Sequence, residues 1–480
     1  LSAANTYTGT TSINAGTLAL GSAGTFANSP MIRVGNAGSS GVVLDLTSKT
    51  SGFTFGSGQT VSGIGTINIG AGQTVTSAGI WAPGNSIGSN AVTGNLTLSG
   101  TSQFELGLAG TSLTSPGNAD FTAVSGTLTL GGNLALIDNA NDNSLGSYGA
   151  GSYRLFTAPT VSGTFASVTA PVGATTTRVA MTYSSGTASG QGVFANVYNL
   201  AVGSVTSGTS LNFGLIHAGG SFTSQAVSIG NTATAGSFSE GLNASVSGST
   251  GNATSGGTAV TNLSAGGSAS TITVNLGDTA TGGVKNGTVT IDYQSNGATT
   301  SGLAAISAGS EVVNLTGSVF SGTGTWNQAG GGSWGSQASN SWTSAGGVAA
   351  APGTFIGYAN TDRAIFGSAV SSGTAAIALN GAQVGLASLT LNNSAARYLI
   401  ESGTGSGSLA LAAASGKPVV DVVGTHEIAA AINGTNGLEK TGLGKLILSG
   451  SSNYSGGTDI SAGTLAVNGF LGGAVNVANA

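Results

Sequence analysis

The sequence predicts an all-β protein: two β-solenoid modules of stacked, parallel β-helix-like coils flanking a β-sandwich. Three observations carry that expectation. Only 5% of the 480 residues are charged, where about a quarter is ordinary, while glycine occurs 85 times and proline 7 times. Short runs such as Asn95-Leu96-Thr97-Leu98, Thr127-Leu128-Thr129-Leu130 and Thr288-Val289-Thr290-Ile291 alternate apolar with small polar residues. Alternation of period two bounded by Gly, Ser or Asn marks a half-buried strand. Finally, LSAANTYTGTTSINAGTLAL at 1–20 returns as LSGSSNYSGGTDISAGTLAV at 448–467, with eleven of twenty positions identical.

Composition excludes several classes. Apolar residues make up 39%, enough to fold, and low charge argues against disorder. No capped stretch of helical periodicity occurs; 409–414 could hold a turn or two of helix at most. Cysteine is absent, which removes disulfides, thiolate zinc sites and cysteine nucleophiles. A net charge of −5 without a basic cluster argues against nucleic acid. No run of 18 apolar residues offers a membrane-spanning helix. Leu1-Ser2-Ala3-Ala4 is not a signal peptide and reads as the middle of a repeat, so a segment of a longer precursor is expected.

The repeated unit assigns structural positions. Ile13 and Leu18, with Ile460 and Leu465, are expected to point into a coil interior. Gly9 and Gly16, with Gly456 and Gly463, suit tight corners. Tyr7 and Tyr454 occupy matching places. One coil cannot bury its own apolar face, so neighbouring coils are required.

The run Gly-x-Leu-x-Leu-Ser-Gly-x-x-x-Tyr-Ser-Gly-x-Thr-x-Ile-x-x-Gly-Thr-Leu stands at Gly444 to Leu465, after the lead-in Gly437-Leu438-Glu439-Lys440-Thr441-Gly442. It resembles the passenger-associated repeat of bacterial autotransporters. Residues 79–108, 120–136 and 151–165 resemble the passenger segment that commonly follows. Residues 321–366, with Trp326, Trp334, Trp342 and Asp362-Arg363-Ala364-Ile365-Phe366, resemble the start of another passenger module. The middle differs. Tyr198-Asn199-Leu200, Leu211-Asn212-Phe213-Gly214, Ala226 to Asn231 and Val312 to Gly317 resemble an immunoglobulin-like sandwich of the Hydin type. Short strands 8–12 residues apart suit a sandwich; a continuous solenoid is the alternative. Ser247 to Gly267 reads as a flexible Gly/Ser/Thr loop. The modules are therefore expected at 1–197, 198–320 and 321–480.

Chemistry-bearing residues are sparse. His217 and His426 fall in different modules. His426 and Glu427 are adjacent, so a strand turns them to opposite faces. Glu105, Asp120, Glu401 and Glu427 are isolated in sequence, although folding could bring two together as a glycosidase pair. Asp138-Asn139-Ala140-Asn141-Asp142-Asn143 reads as a polar turn, with calcium as the alternative. Gly84-Asn85-Ser86-Ile87-Gly88 has the letters of a nucleophile elbow without its strand-to-helix context. Gly444-Lys445 is followed by Leu446, so no phosphate-binding loop is formed. Trp326, Trp334 and Trp342 read as a cap sealing a core end or, alternatively, as an aromatic platform for sugars.

The expectation is a structural protein of a bacterial surface appendage, layer or filament, working by repeat stacking and head-to-tail association of copies. It is expected to be no enzyme and to need no cofactor or metal. The resemblance implies export to the cell surface. The alternatives are an adhesin binding glycans or neighbouring cells and, less favoured, a polysaccharide-degrading β-helix.

Overall fold

The computed structural model describes residues 1–107, 119–138, 149–170 and 175–477. The chain is all-β, and most of its sheets are parallel. Among the described residues the only helical element is the 3₁₀ turn Ala345–Gly347. The 409–414 stretch starts with the strand Ser408–Leu411 instead of helix. Its leucines alternate inward, a period-two pattern that a coil wall buries better than one helical turn would.

The first solenoid has three walls, with sheets of seven, eight and five strands among the described residues. Alternation explains them: one residue in two points inward and stacks on its equivalent in the next coil. Ile32, Val61, Trp81, Ser102 and Leu134 form one inward ladder. Leu44, Ile67, Val92 and Val124 form a second, and Val75, Leu96 and Leu128 a third. All are buried, and the apolar ones belong to one core. In the eight-stranded wall parallel stacking ends at Gly151–Thr157, which pairs with Val193–Asn199 in antiparallel fashion. Thr177–Tyr183 then closes that edge.

Residues 203–320 form two sheets around a separate core that includes Val227, Ile229, Ile272, Ile291 and Leu315. Ser210–His217 pairs in parallel with Ile306–Phe320, while the other strand pairs are antiparallel. The segment expected as a flexible loop, 247–267, is instead largely strand. Gly241–Gly251, Ala253–Gly257 and Val260–Leu263 run through it, hydrogen-bonded to neighbours in both sheets. Its small hydroxyl side chains need no core of their own, because the ladder satisfies the backbone.

The second solenoid repeats the coil logic. Ile377, Ile400, Ile428, Leu448 and Val467 stack along one wall. Val384, Leu409 and Ile432 stack along another. Of the run 138–143, residues 139–143 lie outside the described residues; the main chain of Asp138 ends the strand Asn133–Asp138.

Candidate functional site

The repeat unit is the first place where sequence and geometry meet. Ile13 is buried and pairs with Val34. Leu18, Ile460 and Leu465 are half-buried, stacked on Leu44, Lys440 and Leu446 respectively. Gly16 and Gly463 both adopt left-handed backbone, with φ of 67° and 71°. Gly9 and Gly456 do not, so the reason for glycine there differs. At Gly456 a side chain would meet the backbone of Gly437 at 2.3 Å, so the requirement is close coil approach. At Gly9 the surrounding space is open. Tyr454 is 1% exposed and its hydroxyl meets Thr458, whereas Tyr7 is 39% exposed with its hydroxyl 2.8 Å from Thr11.

Lys440 is the repeat residue that pattern reading missed. It sits in an inward ladder between Val420 and Ile460 and is fully buried. Its ammonium donates to the carbonyls of Thr441, Gly442 and Ala462 at 2.9, 2.7 and 2.9 Å. Burial lowers its pKa from the ordinary lysine value, partly offset by the nearby charge of Asp421. The side chain thus ties two successive coils by donating to carbonyls of both.

The tryptophans form a packed cluster at the start of the second solenoid. Trp326, Trp334 and Trp342 are buried and surround Phe366, with ring centroids 5.1–5.6 Å from it. Each indole nitrogen donates to a main-chain carbonyl: Gly330, Pro352 and Trp334. The platform alternative is therefore corrected, because no indole face is open to a sugar.

Two buried ionic contacts join the modules, and neither was visible in the sequence. Arg178 of the first solenoid grips Glu240 of the sandwich in a bidentate pair, both contacts at 2.6 Å. Ser295 and Ser301 also donate to that carboxylate. At the other end of the sandwich, the His217 Nε2–H donates to Asp362 at 2.7 Å, and Nδ1–H to the Ala218 carbonyl at 2.8 Å. Two acceptors on one ring require the imidazolium. Burial pushes the His217 pKa down, but the hydrogen bonds to Asp362 and Ala218 and the carboxylate charge hold it above its ordinary value. Tyr358 stacks on the ring at 3.7 Å, and Phe320 and Phe355 pack edge-on. Asp362 also accepts the Gly353 N–H at 2.7 Å.

His426 shows the opposite environment. It faces inward, as alternation against Glu427 requires, with Nδ1 accepting the Tyr398 N–H at 3.0 Å and Nε2–H donating to Val423. Burial lowers its pKa. Glu427 points out and pairs with Arg397.

Folding brings Glu105 and Asp120 to one corner, beside Ser86. Asp120 accepts the N–H groups of Gly88 and Glu105, both at 2.9 Å. Burial raises its pKa to about 8, against the pull of those two amides; Glu105 is raised as well. Ser86 sits at φ 127°, a strained value for a residue with a side chain. Glu401 and Glu427 form no such pair: Glu427 stacks beside Leu399, and Glu401 beside Ala378. Among the described residues, no three His, Cys, Asp or Glu side chains are grouped to hold a metal. None contains a helix long and apolar enough to cross a membrane.

Comparison with curated proteins and with solved structures returns no match. The passenger-associated-transport-repeat family matches residues 1–20 and 438–467, a coil in each of the two solenoids. Over those residues the chain is similar to passenger-associated transport repeats.

Proposed function

We propose that the chain is a structural, non-enzymatic segment of a surface appendage, layer or filament, in which coils of one copy stack on coils of the next. The observation that carries this reading is the stacked parallel coil itself, in which inward ladders such as Ile377, Ile400, Ile428 and Leu448 repeat one apolar pattern from coil to coil. A coil with the same inward pattern fits such a ladder, and regular strand edges recruit further strands. A contact between different surfaces of the same molecule propagates into filaments when it does not close. The carboxylate corner supports a structural role too, because both Asp120 oxygens are engaged by main-chain amides.

Sedimentation across a concentration series tests this. The unaltered chain should shift to larger species as concentration rises, and the shift should reverse on dilution. A unaltered chain that stays monomeric throughout sinks the self-association reading.

A further inference from the structure

We propose that a groove on the second solenoid binds a carboxylate-bearing sugar residue through Arg363. The groove has a volume of about 580 Å³ and is lined by Asn360, Thr361, Arg363, Ser388, Thr390 and Lys417, among others. Its floor is built by coil stacking: Arg363 lies beside Ser388, and Ser388 beside Val419. The main chain beneath is already satisfied, with Ala387 N–H donating to the Asp362 carbonyl and Val419 N–H to the Ala387 carbonyl. Above it, the Thr361 hydroxyl donates to the Tyr358 carbonyl and Lys417 pairs with Asp459, which leaves Arg363 as the charged group open to a ligand.

Positive charge is scarce in this chain, with ten Lys and Arg in 480 residues. Most of it is committed. Arg178, Lys285, Arg397 and Lys417 each hold a carboxylate. Lys49, Arg154 and Lys440 are held by main-chain carbonyls. Arg363 is exposed and has no carboxylate or carbonyl partner for its side chain among the described residues. A guanidinium is a planar fork matched to a carboxylate. Hydroxyl and amide groups around it match the hydroxyls of a sugar ring. The apolar lining is only Ala387, Ala413, Ala414 and Val419, too shallow to seat the side chains that would identify a peptide. Lys417 borders the groove but is shared with Asp459 at 2.7 Å, so it is a second, partly occupied anchor.

The intact chain should be titrated by calorimetry at low salt with three probes: a hexuronic-acid disaccharide, its carboxyl-reduced counterpart and a short acidic peptide. The acidic disaccharide is expected to bind saturably and best. Arg363→Gln should weaken it by about tenfold or more, the cost of a lost charge-assisted hydrogen bond. Arg363→Lys should recover part of the loss, since charge remains without the fork. Asp459→Asn should tighten binding by freeing Lys417, an outcome that a misfolded variant cannot produce. Absence of saturable binding, equal binding of the reduced disaccharide, tighter binding of the peptide, or indifference to Arg363→Gln would each overturn the proposal.

Discussion

Replacing Asp362 with alanine is the most informative perturbation of the junction between sandwich and second solenoid. The side chain is fully buried, as is nearly all of His217. Its loss leaves an imidazolium among Phe320, Phe355 and Tyr358 with no counter-charge, and it orphans the Gly353 N–H. Removing one partner of a buried pair costs about 3–5 kcal/mol. Part of that is relieved if His217 gives up its proton, so the lower end is expected near neutrality. The sign of the pH dependence follows from the raised His217 pKa. The stabilisation is complete below the unfolded histidine value of about 6.5 and is lost as pH rises through the higher folded value. The cost of Asp362→Ala should therefore be larger at about pH 5.5 than at about pH 9. Guanidinium unfolding followed by tryptophan emission reads it directly, because Trp326, Trp334 and Trp342 lie in the module that contains Asp362. A cost below about 1 kcal/mol at the lower pH, or one that does not shrink on alkalinisation, would refute the assignment of an imidazolium–carboxylate clasp.

Other consequences follow from matched positions of the repeat. Gly16→Ala should cost about 1 kcal/mol, the penalty of left-handed backbone for a side chain, since its surroundings are open. Gly463→Ala should cost clearly more, because the added carbon meets the Gly442 and Gly444 carbonyls at 2.5 Å; equal costs by denaturant midpoint would show that coil approach does not constrain the corner. Tyr454→Phe should destabilise by about 1 kcal/mol through its buried hydroxyl, and Tyr7→Phe by a few tenths at most. His426 has a depressed pKa, so its contribution is present above the unfolded value and lost as pH falls toward the folded one. His426→Gln should flatten the acid limb of a melting-temperature profile, and an unchanged limb would count against that role.

The solenoid walls were legible because alternation is local. Leu96-Thr97-Leu98 reveals which residues turn inward without knowledge of its neighbours. The repeat at the two ends was legible because its letters recur, yet equal letters did not mean equal burial. Tyr454 is 1% exposed and Tyr7 39%. What stayed hidden is whatever depends on pairing across distance. Arg178 meets Glu240, and His217 meets Asp362, from different modules, and no local pattern marks either. Glu105 and Asp120 converge only because a rung returns to the same corner. Lys440 stood in the lead-in run with no place assigned to it, and its burial depends on three carbonyls supplied by corner geometry. The 247–267 segment was misread because Gly, Ser and Thr look alike in a loop and in a ladder, and only the partner strands decide.

The central claim is that coils of one copy stack on coils of the next. Electron diffraction or cryo-electron microscopy of the concentrated chain addresses it most directly. Stacking predicts filaments with a meridional repeat of about 4.8 Å, the spacing of neighbouring strands, continuous across the joint between copies. Dispersed single particles at every concentration, or filaments lacking that repeat at the joints, would contradict it.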